Sequence, residues 1–169
     1  MNYIRLRVIV ICFITIPLSG QDMFPARQIT CDPAQQGFAT WSPDSRYIVY
    51  QYTDLNDSLG KNGLWRVYAD GTGAKQIFKG IAEHAKWSPD GSLLVYAVME
   101  GKYLGLYIMS SKGGMSLPLA VPGNSHNEGA VWSPDGKTIA FTSTRSGNFD
   151  IWIMKVDNEK IKKELQIIR

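Results

Sequence analysis

The chain has 169 residues, of which 44% are hydrophobic and 20% charged, and its formal net charge is +3. That composition excludes a disordered chain, and the length suits one domain with a real core. So small a charge gives no footing for nucleic acid, and 11% aromatic residues favour strands over a helical bundle.

The first element is a leader. Arg5 and Arg7 precede an apolar run from Val8 to Leu18, and Ser19-Gly20-Gln21-Asp22 follows. A basic start, a short apolar run and small residues at the cut make a secretory signal peptide, residues 1–20, cleaved after Gly20. The run falls short of the about 20 residues of a membrane span, so the mature chain is expected to have none. Removing the leader discards two basic side chains and no acid, which brings the net charge to about +1. Cys31 is then the only cysteine, so the mature protein, expected in the periplasm or outside the cell, has no internal disulfide.

From residue 37 the chain reads as short strands separated by turns. "GFATW" leads into a turn, and "RYIVYQY", "LWRVYA" and "AKQIFKG" follow as three strands. The order then repeats as "EHAKW", "SLLVYAV", "LGLYIMS" and "MSLPLAV", and again as "GAVW", "KTIAFTS" and "DIWIMKV". Each unit carries the same turn: Trp41-Ser42-Pro43-Asp44-Ser45, Trp87-Ser88-Pro89-Asp90-Gly91 and Trp132-Ser133-Pro134-Asp135-Gly136. Pro pre-sets φ, Ser and Asp accept backbone hydrogen bonds, and Gly supplies the left-handed residue that ends the turn. Ser45 departs from this, and is expected either to be mildly strained or to adopt another turn.

Further positions agree between units. Ala39, Ala85 and Ala130 stand two residues before the Trp, Ile48, Leu94 and Ile139 seven after it, and Tyr50, Tyr96 and Phe141 nine after it. A second aromatic follows at Trp65, Tyr107 and Trp152; the first unit is longer, with its extra residues expected within 53–63. Four short strands in about 45 residues is the period of a β-propeller blade. The fold class is therefore all-β: three four-stranded blades, an incomplete propeller or half of a six-bladed ring. Each Trp is expected to wedge between blades.

This pattern resembles the TolB-type propeller repeat, a WD40-like blade of exported bacterial proteins and of the propeller domains of prolyl-oligopeptidase-like enzymes. The resemblance is carried best by "AVWSPDGKTIAFTSTRSGNFDIWIMKVD", residues 130–157, and by "LWRVYADGTGAKQI" in the first unit. It implies blades at about 37–80, 81–125 and 126–169 within residues 21–169. Residues 24–36, overlapping "ARQITCDPAQQG" (26–37), look like the last strand of a preceding or closing blade. The TolB N-terminal α/β domain has no room here, and three blades fall short of the usual six. Two copies are therefore expected to associate into one ring, with closing strands near Arg27–Thr30 and in "ELQIIR"; a fragment of a longer protein is the alternative.

Chemistry is sparse. A Gly-x-Ser-x-Gly elbow, a His pair at metal spacing and a Cys cluster are all missing from the sequence, so no catalytic residue, metal or cofactor is assigned. Gly71, Gly73, Gly113 and Gly114 read as hairpin glycines, and Asp54 and Asp57 as a solvated loop. The candidate partner-binding face gathers residues expected at one mouth of a central channel: Glu83, His84, Asn124, His126, Asn127, Glu128 and Arg145. Arg145 is read as loop architecture first and partner contact second. The expected function is a non-catalytic scaffold binding a protein or envelope component. The alternative is the propeller part of a hydrolase or of a metal-dependent lyase like those acting on oligogalacturonate.

Overall fold

The structure, a computed structural model, describes residues 24–167. The expected signal peptide, residues 1–20, lies outside the described residues. The chain divides into two units, one ending at Pro33 and one beginning at Ala34. The described part of the first, residues 24–33, forms no strand; within it Gln28 Nε2 donates to the Thr30 carbonyl at 2.7 Å.

The second unit holds three antiparallel sheets. The first contains β1 (Gln35–Trp41), β2 (Tyr47–Thr53), β3 (Gly63–Tyr68) and β4 (Lys75–Lys79). The second contains β5 (Ala82–Trp87), β6 (Leu93–Glu100), β7 (Tyr103–Ser110) and β8 (Ser116–Ala120). The third contains β9 (Asn127–Trp132), β10 (Thr138–Ser143) and β11 (Asp150–Lys155). Neighbours in sequence are neighbours in each sheet, so every blade is a meander. The first inner strand starts two residues earlier than the repeat arithmetic places it. The long connection of the first blade is residues 54–62, held by Asp57 Oδ1, which accepts from the amides of Lys61 (2.5 Å) and Asn62 (3.2 Å).

The repeated turn is identical in all three blades. The Ser side chain donates to the Asp carboxylate at 2.6 Å and accepts the amide of the residue five further on, Tyr47, Leu93 or Thr138. The fifth residue returns its amide to the Ser carbonyl at 2.9 Å. Ser45 does this at φ +58, beside +72 for Gly91 and +69 for Gly136. Of the two expectations for Ser45, the structure selects the strained residue in the same turn.

Packing lies between blades. Val49, Leu64 and Ile77 of the first blade bury against Ala82, Ala85, Leu94, Tyr96 and Met109 of the second. On the other side of that blade, Val95, Ala97, Leu104 and Leu106 bury against Ala130, Ile139 and Phe141 of the third. Alternation along each strand thus gives the middle blade two apolar faces. The Trp residues join blades as expected: Trp87 Nε1 donates to the Thr40 carbonyl at 3.4 Å, and Trp132 Nε1 to the Lys86 carbonyl at 3.3 Å. Trp41 is the exception, because no blade precedes it within this unit; it is 57% exposed.

The third blade corrects one expectation. Among the described residues it has three strands, not four, and "ELQIIR" supplies none. Instead α1 (Asn158–Glu164) follows β11, capped by Asp157, whose carboxylate accepts the Lys160 amide. Ile161 and Leu165 pack on Leu93 and Ile108 of the second blade and cover apolar surface there.

Candidate functional site

The inner strands β1, β5 and β9 run side by side and form the inner wall of the three blades. Each has the same defect. The pairing register shifts between Gly37 and Thr40, between Glu83 and Lys86, and opposite Ala140 and Thr142. In each blade the two residues before the strand's penultimate position face a single aromatic of the next strand: Phe38-Ala39 face Tyr50, His84-Ala85 face Tyr96, and Gly129-Ala130 face Phe141. This is a β-bulge. Its first residue is left-handed in all three blades, with φ of +51 at Phe38, +54 at His84 and +62 at Gly129. Glycine takes that conformation without cost, whereas Phe and His hold about 1–2 kcal/mol of strain each.

The bulge aims Phe38 and His84 at one another across the blade boundary, ring centroids 4.2 Å apart and edge to face. Phe38 is exposed and His84 half-buried, with Nδ1 3.7 Å from Glu83 Oε1. His84 therefore sits within β5, in the segment "EHAKW" that leads into the repeated turn. Further along, His126 stands just before β9, between the rings of Tyr103 at 5.1 Å and the exposed Phe149 at 6.3 Å. Lys102 lies over Tyr103, with Nζ 5.1 Å from the centroid. Asn124 is exposed and Glu128 half-buried beside this group.

Asn127 and Arg145 do something else. Asn127 is fully buried, and its Oδ1 accepts from Arg145 Nη2 and Ser143 Oγ, each at 2.8 Å. The Arg145 guanidinium lies 5.0 Å from the rings of both Phe141 and Trp152. These residues pin the β10–β11 loop to the blade, so Asn127 presents nothing to a partner. Phe38, Tyr103 and Phe149 are the aromatic neighbours of the two histidines that sequence spacing missed. The one available signal is the variable residue before the repeated Ala, where Phe, His and Gly stand in three otherwise matching units.

Among the described residues no group of three or more His, Cys, Asp and Glu side chains converges as a metal site. No described helix is long and apolar enough to cross a membrane. The titration shifts belong to architecture. Hydrogen bonds from Ser42 and Ser133 hold the Asp44 and Asp135 carboxyls below the usual range. Burial pushes Tyr96 up to about 12, and the bond to Glu100 does the same for Tyr107.

Meandering blades packed face to face around bulged inner strands define a β-propeller repeat protein. Its family follows from comparison: the TolB beta propeller domain pattern matches residues 39–165, and the chain belongs to that family. It is 27% identical over 158 residues to the uncharacterized protein Atu1656 of Agrobacterium fabrum, covering 86% of this chain and 53% of that one. It is 32% identical over 110 residues to the uncharacterized peptidase YuxL of Bacillus subtilis, covering 60% of this chain and 16% of the peptidase. The chain thus spans about half the length of the first relative and a small part of the second.

Two solved structures share the fold. One is a provisional TolB from Agrobacterium tumefaciens, at 22% identity and a TM-score of 0.56, with 78% of this chain and 62% of that one covered. The other is an oligogalacturonate lyase in complex with manganese, at 20% identity and a TM-score of 0.54, with 72% and 34% covered.

Proposed function

We propose that this chain is an exported TolB-like propeller protein that binds a protein or envelope component without catalysis. The observation that carries the reading is the strained aromatic and histidine wall. Phe38 and His84 occupy left-handed positions that Gly129 fills without strain. Backbone strain retained at solvent-accessible positions is characteristic of binding surfaces held ready by a rigid scaffold. Tyr103, His126 and Phe149 form a second cluster of flat rings, which give contact area at little entropic cost. The export step rests on the leader pattern of residues 1–20.

The test uses immobilised purified protein and an envelope extract. His84→Gly removes a ring contact and relieves the left-handed strain together, so folding stability should stay within about 0.5 kcal/mol of the parent. Paired with Phe149→Ser at an exposed position, it should cut capture of the retained partner about tenfold or more. Unchanged capture by this folded double variant would remove the wall from the binding role. The similarity to a peptidase supports a rival reading, the propeller part of a hydrolase. That reading gains if the partner captured is a hydrolase domain that becomes active only in the complex.

A further inference from the structure

We infer that a second copy of this chain docks on the outward face of the third blade and supplies its missing fourth strand from residues 26–30. This rests on blade architecture and is independent of what the inner wall binds.

In the first two blades the third strand is covered by a fourth, β3 by β4 and β7 by β8. In the third blade β11 is the edge, and its outer backbone groups have no strand partner among the described residues. The face beside that edge is apolar and bare: Ile151 and Ile153 are 74% and 73% exposed, and Val131 is exposed too. Their β7 counterparts, Leu106 and Ile108, are 0% exposed because the third blade and α1 cover them. A long apolar edge of this kind does not stay unpaired in solution.

The occupant is identified by three features. First, Ala26-Arg27-Gln28-Ile29 repeats the pattern of Ala74-Lys75-Gln76-Ile77, which leads into and forms the fourth strand β4. In the single chain residues 26–30 form no strand. Second, the indole relay has one donor and one acceptor left over. Trp87 bonds the residue before Trp41, and Trp132 bonds the residue before Trp87. The next acceptor in the series is the Val131 carbonyl, and the exposed donor is Trp41. Third, the first and third blades pack on opposite faces of the second, so the bare face of the third looks away from its own first blade. A second copy brings a first blade with its preceding strand to that face. Two such contacts close two copies into six blades, within the usual range of about 4–8 for propellers.

The register follows from the first blade. There Trp65 faces Gln76 and Arg66 faces Lys75. By the repeat, Trp152 should face Gln28 and Ile153 should face Arg27 of the second copy.

Light scattering on the purified protein should give twice the chain mass, and a monomer at tens of micromolar would overturn the proposal. Ile151→Lys with Ile153→Lys changes only exposed positions. It should leave the circular dichroism spectrum and thermal midpoint of the monomer intact while weakening association about a hundredfold or more. Unaltered association would place the contact elsewhere. With Cys12 and Cys31 replaced by Ser, Arg27→Cys and Ile153→Cys should give a disulfide-linked dimer on oxidation. A monomer carrying an internal disulfide, or a ladder of longer polymers, would each refute closure by two copies.

Discussion

The three Trp-Ser-Pro-Asp turns show how a few side-chain atoms make a repeat. One hydroxyl, Ser88 Oγ, both donates to Asp90 and accepts the Leu93 amide, so it closes the turn and starts the next strand at once. Ser42 and Ser133 do the same. The turn, and the Gly that ends it, were legible from residue types alone, because each residue has its own mechanical reason to be there. The conformation of Ser45 was not, since Ser fits several turns and only neighbouring structure chooses. Held at φ +58, Ser45 carries about 1–2 kcal/mol that glycine would not, while glycine gives back about 0.4–1 kcal/mol through its freer unfolded chain. Ser45→Gly is therefore expected to raise stability by about 0.5 kcal/mol, read from the urea midpoint at constant m-value. A lower midpoint would mean that the Ser45 side chain contributes something the turn geometry does not require.

At the scale of elements, strands announced themselves and the departures from them did not. The second strands β2, β6 and β10 follow from β-branched and aromatic runs, and the inner strands β1, β5 and β9 from their repeated place before the turn. The bulges escaped notice because the residue they twist, Phe38, His84 or Gly129, shares no chemistry across the blades. Helix α1 escaped because "NEKIKKELQI" was read as the continuation of a repeat, although Asp157 with Glu159 marks a helix start.

That helix carries a charge tether to the second blade: Lys162 Nζ donates to Asp90 Oδ2 at 2.8 Å. Burial raises the Asp90 carboxyl, but the bonds from Lys162, Ser88 and Ser92 outweigh it and hold the group far below the ordinary carboxylate range. A depressed folded value stabilises above the unfolded pKa of about 4 and is lost as pH falls through the lower folded value. Stability should be flat above about pH 5 and fall below about pH 4. In Lys162→Met the fall should be shallower, with the loss at neutral pH no more than about 1 kcal/mol, since the pair is partly exposed. Thermal melts from pH 2 to 7 check this. An identical acid limb in the variant would show that the tether does not set it.

For the whole molecule, the decisive fact is that each blade depends on its neighbours. The middle blade has both faces covered, and Leu93, Leu94, Val95, Tyr96, Leu106, Ile108 and Met109 lose all contact with solvent. The third blade has one covered face and an open edge. Repeat arrays of this type are stable roughly as the sum of their interfaces, so local opening should be cheapest at the end with the fewest. The number of blades was legible in the sequence by counting Trp-Ser-Pro-Asp turns. What that number means for the ends was not, because exposure depends on what stands beyond the last sheet. Amide hydrogen exchange is expected to be slowest in β6 and β7 and faster along β11, in dilute protein. If a second copy supplies the strand on that edge, protection of β11 must rise with protein concentration while β6 and β7 stay unchanged. Concentration-independent protection of β11 would leave the edge open to solvent and the third blade with three strands.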